Sequence, residues 1–180
     1  NTQVTVQQAA FSQVSFGAFK YSSKEILVPV ELLQDSGVDL PGVIGRMLGE
    51  RIGRITNDHF TTGAGTTQPY GIVTQATLGA TATGTTITYE DVVDLEHSVD
   101  PSYRPGARWM FPDTVLAALK KVRDDDGRLI WQPGMAAGAP DRILGYPYII
   151  NQSMAAVDDG SKSILFGATD KYKIRDVRDV

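Results

Sequence analysis

Cysteine is absent from this sequence of 180 residues, and so are long hydrophobic runs and long basic runs. Without cysteine the chain can form neither disulfide bonds nor thiolate zinc sites, which fits a reducing compartment. Charged residues interrupt every apolar stretch before it reaches the ~20 residues that a membrane-spanning helix needs. The sequence therefore predicts no membrane span.

Positive charge is also scarce. The chain carries 17 basic and 21 acidic residues, a formal net charge of −4, and its densest basic stretch is Lys120–Lys121 with Arg123 nearby. A protein that reads nucleic acid usually presents a basic face to the phosphates. The composition therefore argues against sequence-specific nucleic-acid binding, although a protein that merely encloses nucleic acid remains compatible with it.

The N-terminal part favours extended structure. Residues 2–19 alternate valine and phenylalanine with glutamine, serine and threonine, which predicts a long extended arm. An ordinary hairpin on a core is the alternative. In "SSKEILVPVELLQDS", Pro29 would stop a central strand, so we expect an edge strand or a passage into a helix there.

The clearest predicted element is an amphipathic helix over residues 39–60. Asp39 suits the N-cap and Pro41 the first turn. Its apolar residues recur at steps of three and four: Leu40, Val43, Ile44, Met47, Leu48, Ile52 and Ile55. At 1.5 Å per residue the helix would be roughly 30 Å long.

Glycines line one side of this helix. Gly45, Gly49 and Gly53 are four residues apart, with Gly42 nearby. Each glycine costs about 1 kcal/mol relative to alanine inside a helix. Close packing of another backbone could offset that cost, so we expect a packed stripe. Tolerated sequence drift is the alternative.

The glycine-rich stretch "FTTGAGTTQPYGIV", residues 60–73, resembles a phosphate-binding loop only superficially. Such a loop needs a preceding strand, a following helix and, in a P-loop, a lysine before serine or threonine. The stretch follows a helix and contains no lysine, and Gln68 stands where a third dinucleotide glycine would be. We interpret it as the end of the helix, turning through Pro69 and Gly71 into a "GIV" strand.

Later segments read as further short elements. Thr88 and Asp91 form a capping-box pattern at the start of a helix. Residues 107–111, "ARWMF", predict a buried strand, and Pro112 would occupy the first turn of the next helix. The buried sides of these two helices would carry Val92, Val93, Leu95 and Val99, and then Val115, Leu116, Leu119 and Val122.

Metal and catalytic sites have little support in the sequence. A calcium loop starting at Asp124 would need glycine and glutamate where Leu129 and Met135 stand, so an acidic turn before a "RLIW" strand is favoured. The histidines, His59 and His97, fall on different predicted helices with no nucleophile at a recognisable spacing. The pair 158–159, before Gly160, has the composition of a turn. We therefore predict no catalytic, cofactor or metal site and no enzyme activity.

Several segments in order carry a resemblance. "VPVELLQDS", the long helix and "HFTTGAGTTQPYGIV" are followed by a helix–strand–helix segment, a "DDDGR" turn, "LGYPYIINQSM" and a closing strand pair in "ILFGATDKYKIRD". This order resembles the HK97-like major capsid proteins of tailed bacteriophages. The chain departs from that pattern at Phe111, where an N-cap asparagine is usual, and at "TGAGT", where the aspartate of the turn is missing.

The resemblance implies an α+β HK97-like fold, with an extended loop over residues 1–24, a peripheral domain with a sheet and the spine helix 39–60 over 25–85, and an axial domain over 86–180. It implies a major capsid subunit that self-assembles through pentamers and hexamers into an icosahedral phage or prophage head enclosing DNA. No cofactor is implied, and portal or decoration proteins are possible partners. The protein would be located in the virion capsid after assembly in the host cytoplasm.

Two alternatives remain: an encapsulin-type compartment shell, or a small ligand-binding domain or enzyme. The chain starts with Asn1 rather than methionine, inside the implied extended loop, and stops where the family's chains cross back to the spine helix. We therefore expect a fragment with a nearly complete axial domain, its core running from Val92 to Ile174, and an incomplete peripheral sheet.

Overall fold

The computed structural model describes residues 17–23, 25–35, 37, 39–82, 84, 86–123, 142–158 and 160–177. Most of the predicted extended arm, the acidic turn at Asp124, the "RLIW" strand and one carboxylate of the 158–159 pair lie outside these residues. Five helices occur in the described part: α1 Val30–Asp35, α2 Leu40–Thr62, α3 Ile72–Gln75, α4 Tyr89–His97 and α5 Asp113–Leu119. Four strands accompany them: β1 Arg108–Phe111, β2 Arg142–Ile143, β3 Tyr146–Ile150 and β4 Leu165–Gly167.

The long helix α2 confirms the strongest prediction. It begins after Asp39, whose carboxylate accepts a hydrogen bond from the N–H of Gly42. That bond satisfies one of the N–H groups left without a partner in the first turn. The helix ends at Thr62, two residues beyond the predicted end, where the N–H of Gly63 donates to His59 O at 2.9 Å.

The predicted "GIV" strand is wrong. Residues from Ile72 to Gln75 form the short helix α3, and Gln75 N donates to Gly71 O at 3.1 Å. No described strand lies beside this segment, because the backbone pairing in this region is one isolated bridge between Ala64 and Tyr70. Without a partner strand, the local hydrogen bonds of a helical turn satisfy these backbone groups. The peripheral sheet therefore stays a prediction.

One mixed sheet organises the second half of the chain. Its strand order is β2-β3-β1-β4, with β1 parallel to β3 and antiparallel to β4, and β2 antiparallel to β3. The predicted closing strand pair is corrected here, since β4 is followed by a 3-10 turn at Thr169–Lys171 instead of a second strand.

The core lies between this sheet and the helices α4 and α5. Trp109, Phe111 and Val115 are almost completely buried, and Trp109 Nε1 donates to Ile143 O at 3.1 Å. The other members of the cluster are Ile87, Val92, Ala107, Leu116, Leu119, Ile143 and Phe166. The predicted far end of the core at Ile174 is wrong, because that side chain lies on the surface beyond the last strand, about half exposed.

Helix starts follow the local sequence. Thr88 caps α4 with a complete capping box, in which the Asp91 carboxylate accepts from Thr88 N at 2.7 Å and Asp91 N donates to Thr88 Oγ1 at 3.2 Å. At α5, Pro112 is the N-cap residue rather than part of the first turn, and no side chain caps the helix. Phe111, which cannot cap, is fully buried, so packing holds this helix end.

Candidate functional site

The glycine-rich stretch after α2 is a packed corner. Gly71 N donates to Gly63 O at 2.8 Å, so the two sides of the loop are joined through backbone. A Cβ on Gly71 would meet Gly63 N and Thr61 O at 2.5 Å, and one on Gly63 would collide with the carbonyl oxygens of Pro69 and His59. The glycines are therefore needed for close backbone approach, and the N–H groups of Gly63 and Gly71 already have protein acceptors.

The two histidines lie in separate places. His59 Nδ1, on α2, is 2.9 Å from the Tyr21 hydroxyl. His97 Nδ1, on α4, is 3.4 Å from Arg104 Nη2. Within the described ranges no group of three or more histidine, aspartate or glutamate side chains could hold a metal ion. Asp158 begins a turn, since Ser161 N donates to its carbonyl at 3.1 Å.

A polar joint connects the C-terminal part of α2 to the sheet. We define the joint by Asn57 and Thr61 on α2 and Asn151 and Ser153 after β3. Asn151 Nδ2 donates to Thr61 Oγ1 at 2.8 Å, and Asn57 Nδ2 donates to Asn151 Oδ1 and Ser153 Oγ, each at 3.0 Å. Thr61 and Asn151 are buried. Directional hydrogen bonds between buried groups fix how the helix is oriented on the sheet.

Two further contacts extend this connection. Lys162 Nζ donates to the carbonyl oxygens of Val73 and Ala76 at 3.2 and 3.1 Å, at the C-terminal end of α3. A cation is favourable there because the last carbonyls of a helix carry partial negative charge. The Tyr172 hydroxyl donates to Tyr70 O at 2.6 Å. Burial, and secondarily the nearby Tyr21, raises the pKa of Tyr172.

Outside the polar joint, α1 and α2 expose several apolar side chains. Thr61 is the only residue of α2 that is buried, although the helix has 23 residues. Val43, Met47 and Ile55 of α2 are 40%, 50% and 43% exposed, and Val30 and Leu32 of α1 are 63% and 52% exposed. The predicted apolar stripe is present but is only half covered. Exposed apolar patches of this kind are typical of interaction sites.

The glycine stripe also lacks a neighbour. A Cβ at Gly45, Gly49 or Gly53 would meet no atom of the described residues within 4 Å. The expectation of close backbone packing is therefore not met within the described residues. Gly42 differs, because a Cβ there would collide with the Asp39 carboxylate that caps the helix.

Sequence reasoning missed the joint and an aligned pair of arginines. Arg142 of β2 pairs with Pro147 of β3. Trp109 of β1 pairs with Tyr148 of β3 in the parallel register, so Arg108, one residue earlier, is aligned with Pro147. We call Arg142, Pro147 and Arg108 the arginine row. Single polar residues far apart in sequence give no periodic signal, so only strand register reveals them.

Among the described helices none is long and apolar enough to span a membrane.

The long exposed helix, the mixed sheet with its helices and the polar joint together make an α+β fold. The chain belongs to the phage capsid family, whose match extends over residues 1–180. The predicted family and fold class are therefore confirmed.

Solved structures agree with this assignment. The chain is similar to the capsid of the native GTA (gene transfer agent) particle computed with C5 symmetry, with a TM-score of 0.69 and 27% identity over 77% of this chain and 52% of that chain. It is also similar to the capsid of the empty GTA particle, with a TM-score of 0.67 at the same identity and coverage. The chain thus spans about half the length of these relatives. A comparison with curated proteins gives no match.

Proposed function

We propose that this chain is part of a major capsid subunit that assembles through pentamers and hexamers into an icosahedral head enclosing DNA. The exposed apolar surface of α1 and α2 is the observation that carries this proposal. The described residues leave most of the apolar face of this 23-residue helix without full packing, and most helix stability in proteins comes from packing of that face. Contacts with further protein segments in an assembly would supply that packing.

The relatives support the same conclusion. Both similar capsids are described in particles computed with C5 symmetry, which implies five equivalent copies around an axis. Repeated weak contacts between copies add up through avidity, so a shell needs no single strong interface. The net charge of −4 suits an inner wall that does not hold DNA tightly.

In this proposal the chain has a structural role and no catalytic one. The extended loop would cover residues 1–24, the peripheral domain 25–85 and the axial domain 86–180. The protein would be found in the particle, after assembly in the host cytoplasm. Portal and decoration proteins are possible further partners.

The test is electron microscopy of the protein expressed in full from its natural reading frame. We expect closed shells with copies arranged in fives and sixes. Particles isolated from natural producer cells should contain nuclease-resistant DNA. A protein that stays monomeric at high concentration would contradict the shell, and particles filled with a co-purifying enzyme would favour the encapsulin-type alternative.

A further inference from the structure

The arginine row lies in a cleft at the open side of the sheet. The cleft has a volume of about 580 Å³, and its lining includes Arg104, Arg108 and Arg142 and the prolines Pro101, Pro105 and Pro147. Among the residues that the structure describes, no acidic side chain lines it. The proline rings fix the backbone φ angle at these three positions of the lining.

Register explains why two guanidinium groups share this cleft. Residues that are partners across neighbouring strands project from the same face of a sheet. Arg142 and Arg108 are each aligned with Pro147, so their Cα atoms are two strand spacings apart, about 10 Å. Trp109, the next residue, turns into the core on the opposite face.

The three arginines differ in the partners that their guanidinium groups have within the chain. Arg104 Nε donates to Val99 O at 2.9 Å, and Arg104 Nη1 lies 3.8 Å from Glu96 Oε1, so Glu96 on α4 and the segment just after that helix hold the side chain in place. Arg142 Nη1 donates to Gly145 O at 3.2 Å. This bond orients the guanidinium group, and its other N–H groups can donate to a partner. Arg108 has no ion-pair partner in the part of the chain that the structure describes. The cleft therefore presents positive charge that calls for an anionic partner.

A pair of exposed carboxylates occurs on α4. Glu90 and Asp94 are both exposed and are four residues apart, so they lie on one face of the helix. Asp91, between them in sequence, is used in the capping box with Thr88. The carboxylates of Glu90 and Asp94 remain available to two guanidinium groups, and arginine binds carboxylates through paired, charge-assisted hydrogen bonds.

We propose that the arginine row of one copy binds Glu90 and Asp94 on α4 of a neighbouring copy. The two surfaces are different parts of the same chain, so the contact is heterologous. Repeated heterologous contacts close into rings when the rotation allows it. This inference rests on the proposed capsid function and identifies one contact that would join copies around a ring.

The test uses charge reversal in the protein expressed in full from its natural reading frame. A cleft variant carries Arg108→Glu and Arg142→Glu, and a helix variant carries Glu90→Arg and Asp94→Arg. Each variant alone brings like charges together at every such contact, so we expect association at least about tenfold weaker than in the parent by sedimentation velocity. The same association should weaken as salt is raised, because exposed charges are screened.

Mixing the two variants gives the sharper result. In an alternating ring every contact joins opposite charges, since the unchanged helix of one variant meets the unchanged cleft of the other, and the two reversed surfaces meet as well. A ring of six copies can alternate the two variants completely. A ring of five must place two copies of the same variant side by side, which leaves one like-charge contact. We therefore expect the mixture to recover association and to form six-membered rings in preference to five-membered ones.

Controls separate the possible failures. Lys171→Glu, at an exposed lysine outside the cleft lining, should leave association unchanged. Circular dichroism and thermal melts check folding, and Arg108→Gln with Arg142→Gln provides a milder pair. Normal association of both reversed variants, or no recovery on mixing, would overturn this contact while the shell stands. If the cleft variant associated normally but no longer retained nucleic acid, the contact would be overturned and the cleft would be assigned to phosphate binding. A parent protein that forms no rings would overturn the proposed function and this contact with it.

Discussion

Asn151 Nδ2 donates a hydrogen bond to Thr61 Oγ1 at 2.8 Å, and these are the two buried polar residues that join the sheet to the helix α2. The remaining groups of both side chains also have partners, since Asn151 Oδ1 accepts from Asn57 and Thr61 Oγ1 donates to Asn57 O at 2.7 Å. A fully satisfied buried network of this kind specifies one arrangement of the elements that it connects. The direction of the spine helix is set here.

Breaking the joint should cost stability. We expect Asn151→Ala to lower the free energy of unfolding by about 1–3 kcal/mol, because Thr61 and Asn57 then lose partners at a buried position. Thr61→Val removes the other side of the same bond while it preserves shape. Urea denaturation of both single variants and the double variant gives their coupling, which we expect to be about 0.5–3 kcal/mol. Strict additivity would show that the two residues act independently.

The open glycine stripe predicts a stabilising substitution. Among the described residues a Cβ on Gly49 meets nothing within 4 Å, so Gly49→Ala should raise the free energy of unfolding by about 1 kcal/mol through helix propensity. Gly71→Ala is the matched control, because its Cβ would lie 2.5 Å from backbone atoms of Gly63 and Thr61. Thermal melts of both variants should shift in opposite directions. A lower melting temperature for Gly49→Ala would indicate that backbone packs against the stripe.

The capping box of α4 predicts a loss at the helix start. Thr88→Ala removes the hydroxyl that accepts from Asp91 N, and we expect a decrease of about 0.5–2 kcal/mol in the free energy of unfolding. Thr88→Ser keeps that hydroxyl and should retain most of the stability. Chemical denaturation measures both. Equal losses for the two variants would assign the effect to the threonine methyl group instead of the cap.

Ionisation of Tyr172 should lower the stability of the folded state at alkaline pH. Burial is the main cause that raises the pKa of Tyr172 above 10.0, so the folded state binds this proton more tightly than the unfolded state. The resulting contribution is complete below pH 10 and is lost as pH rises through the folded-state pKa. Ionisation also removes the proton that Tyr172 donates to Tyr70 O.

We therefore expect the melting temperature to fall above pH 10. Tyr172→Phe should lower the free energy of unfolding at pH 8 by about 0.5–1.5 kcal/mol, the value of one hydrogen bond. The variant should then show a shallower fall in the alkaline range. Parallel pH profiles for the variant and the parent would exclude Tyr172 as the group responsible.

Local signals in the sequence determined the helix α2, the capping box at Thr88, the strand containing Trp109 and the glycine corner after Thr62. Each depends on neighbours within a few residues: an N-cap with its first turn, a three-to-four repeat of apolar side chains, or a glycine at a tight backbone approach. The order of such segments also carried the resemblance to capsid proteins, which the family match confirmed.

Only the tertiary structure decided the features that depend on distant partners. The segment Ile72–Gln75 has the apolar character of a strand, but no described strand pairs with it and it forms a helical turn. Asn151 meets Thr61 across 90 residues, and Arg142 aligns with Arg108 through β3. Strand register and buried hydrogen bonds between remote residues leave no periodic trace in a single sequence, because they are fixed by packing after the local elements have formed.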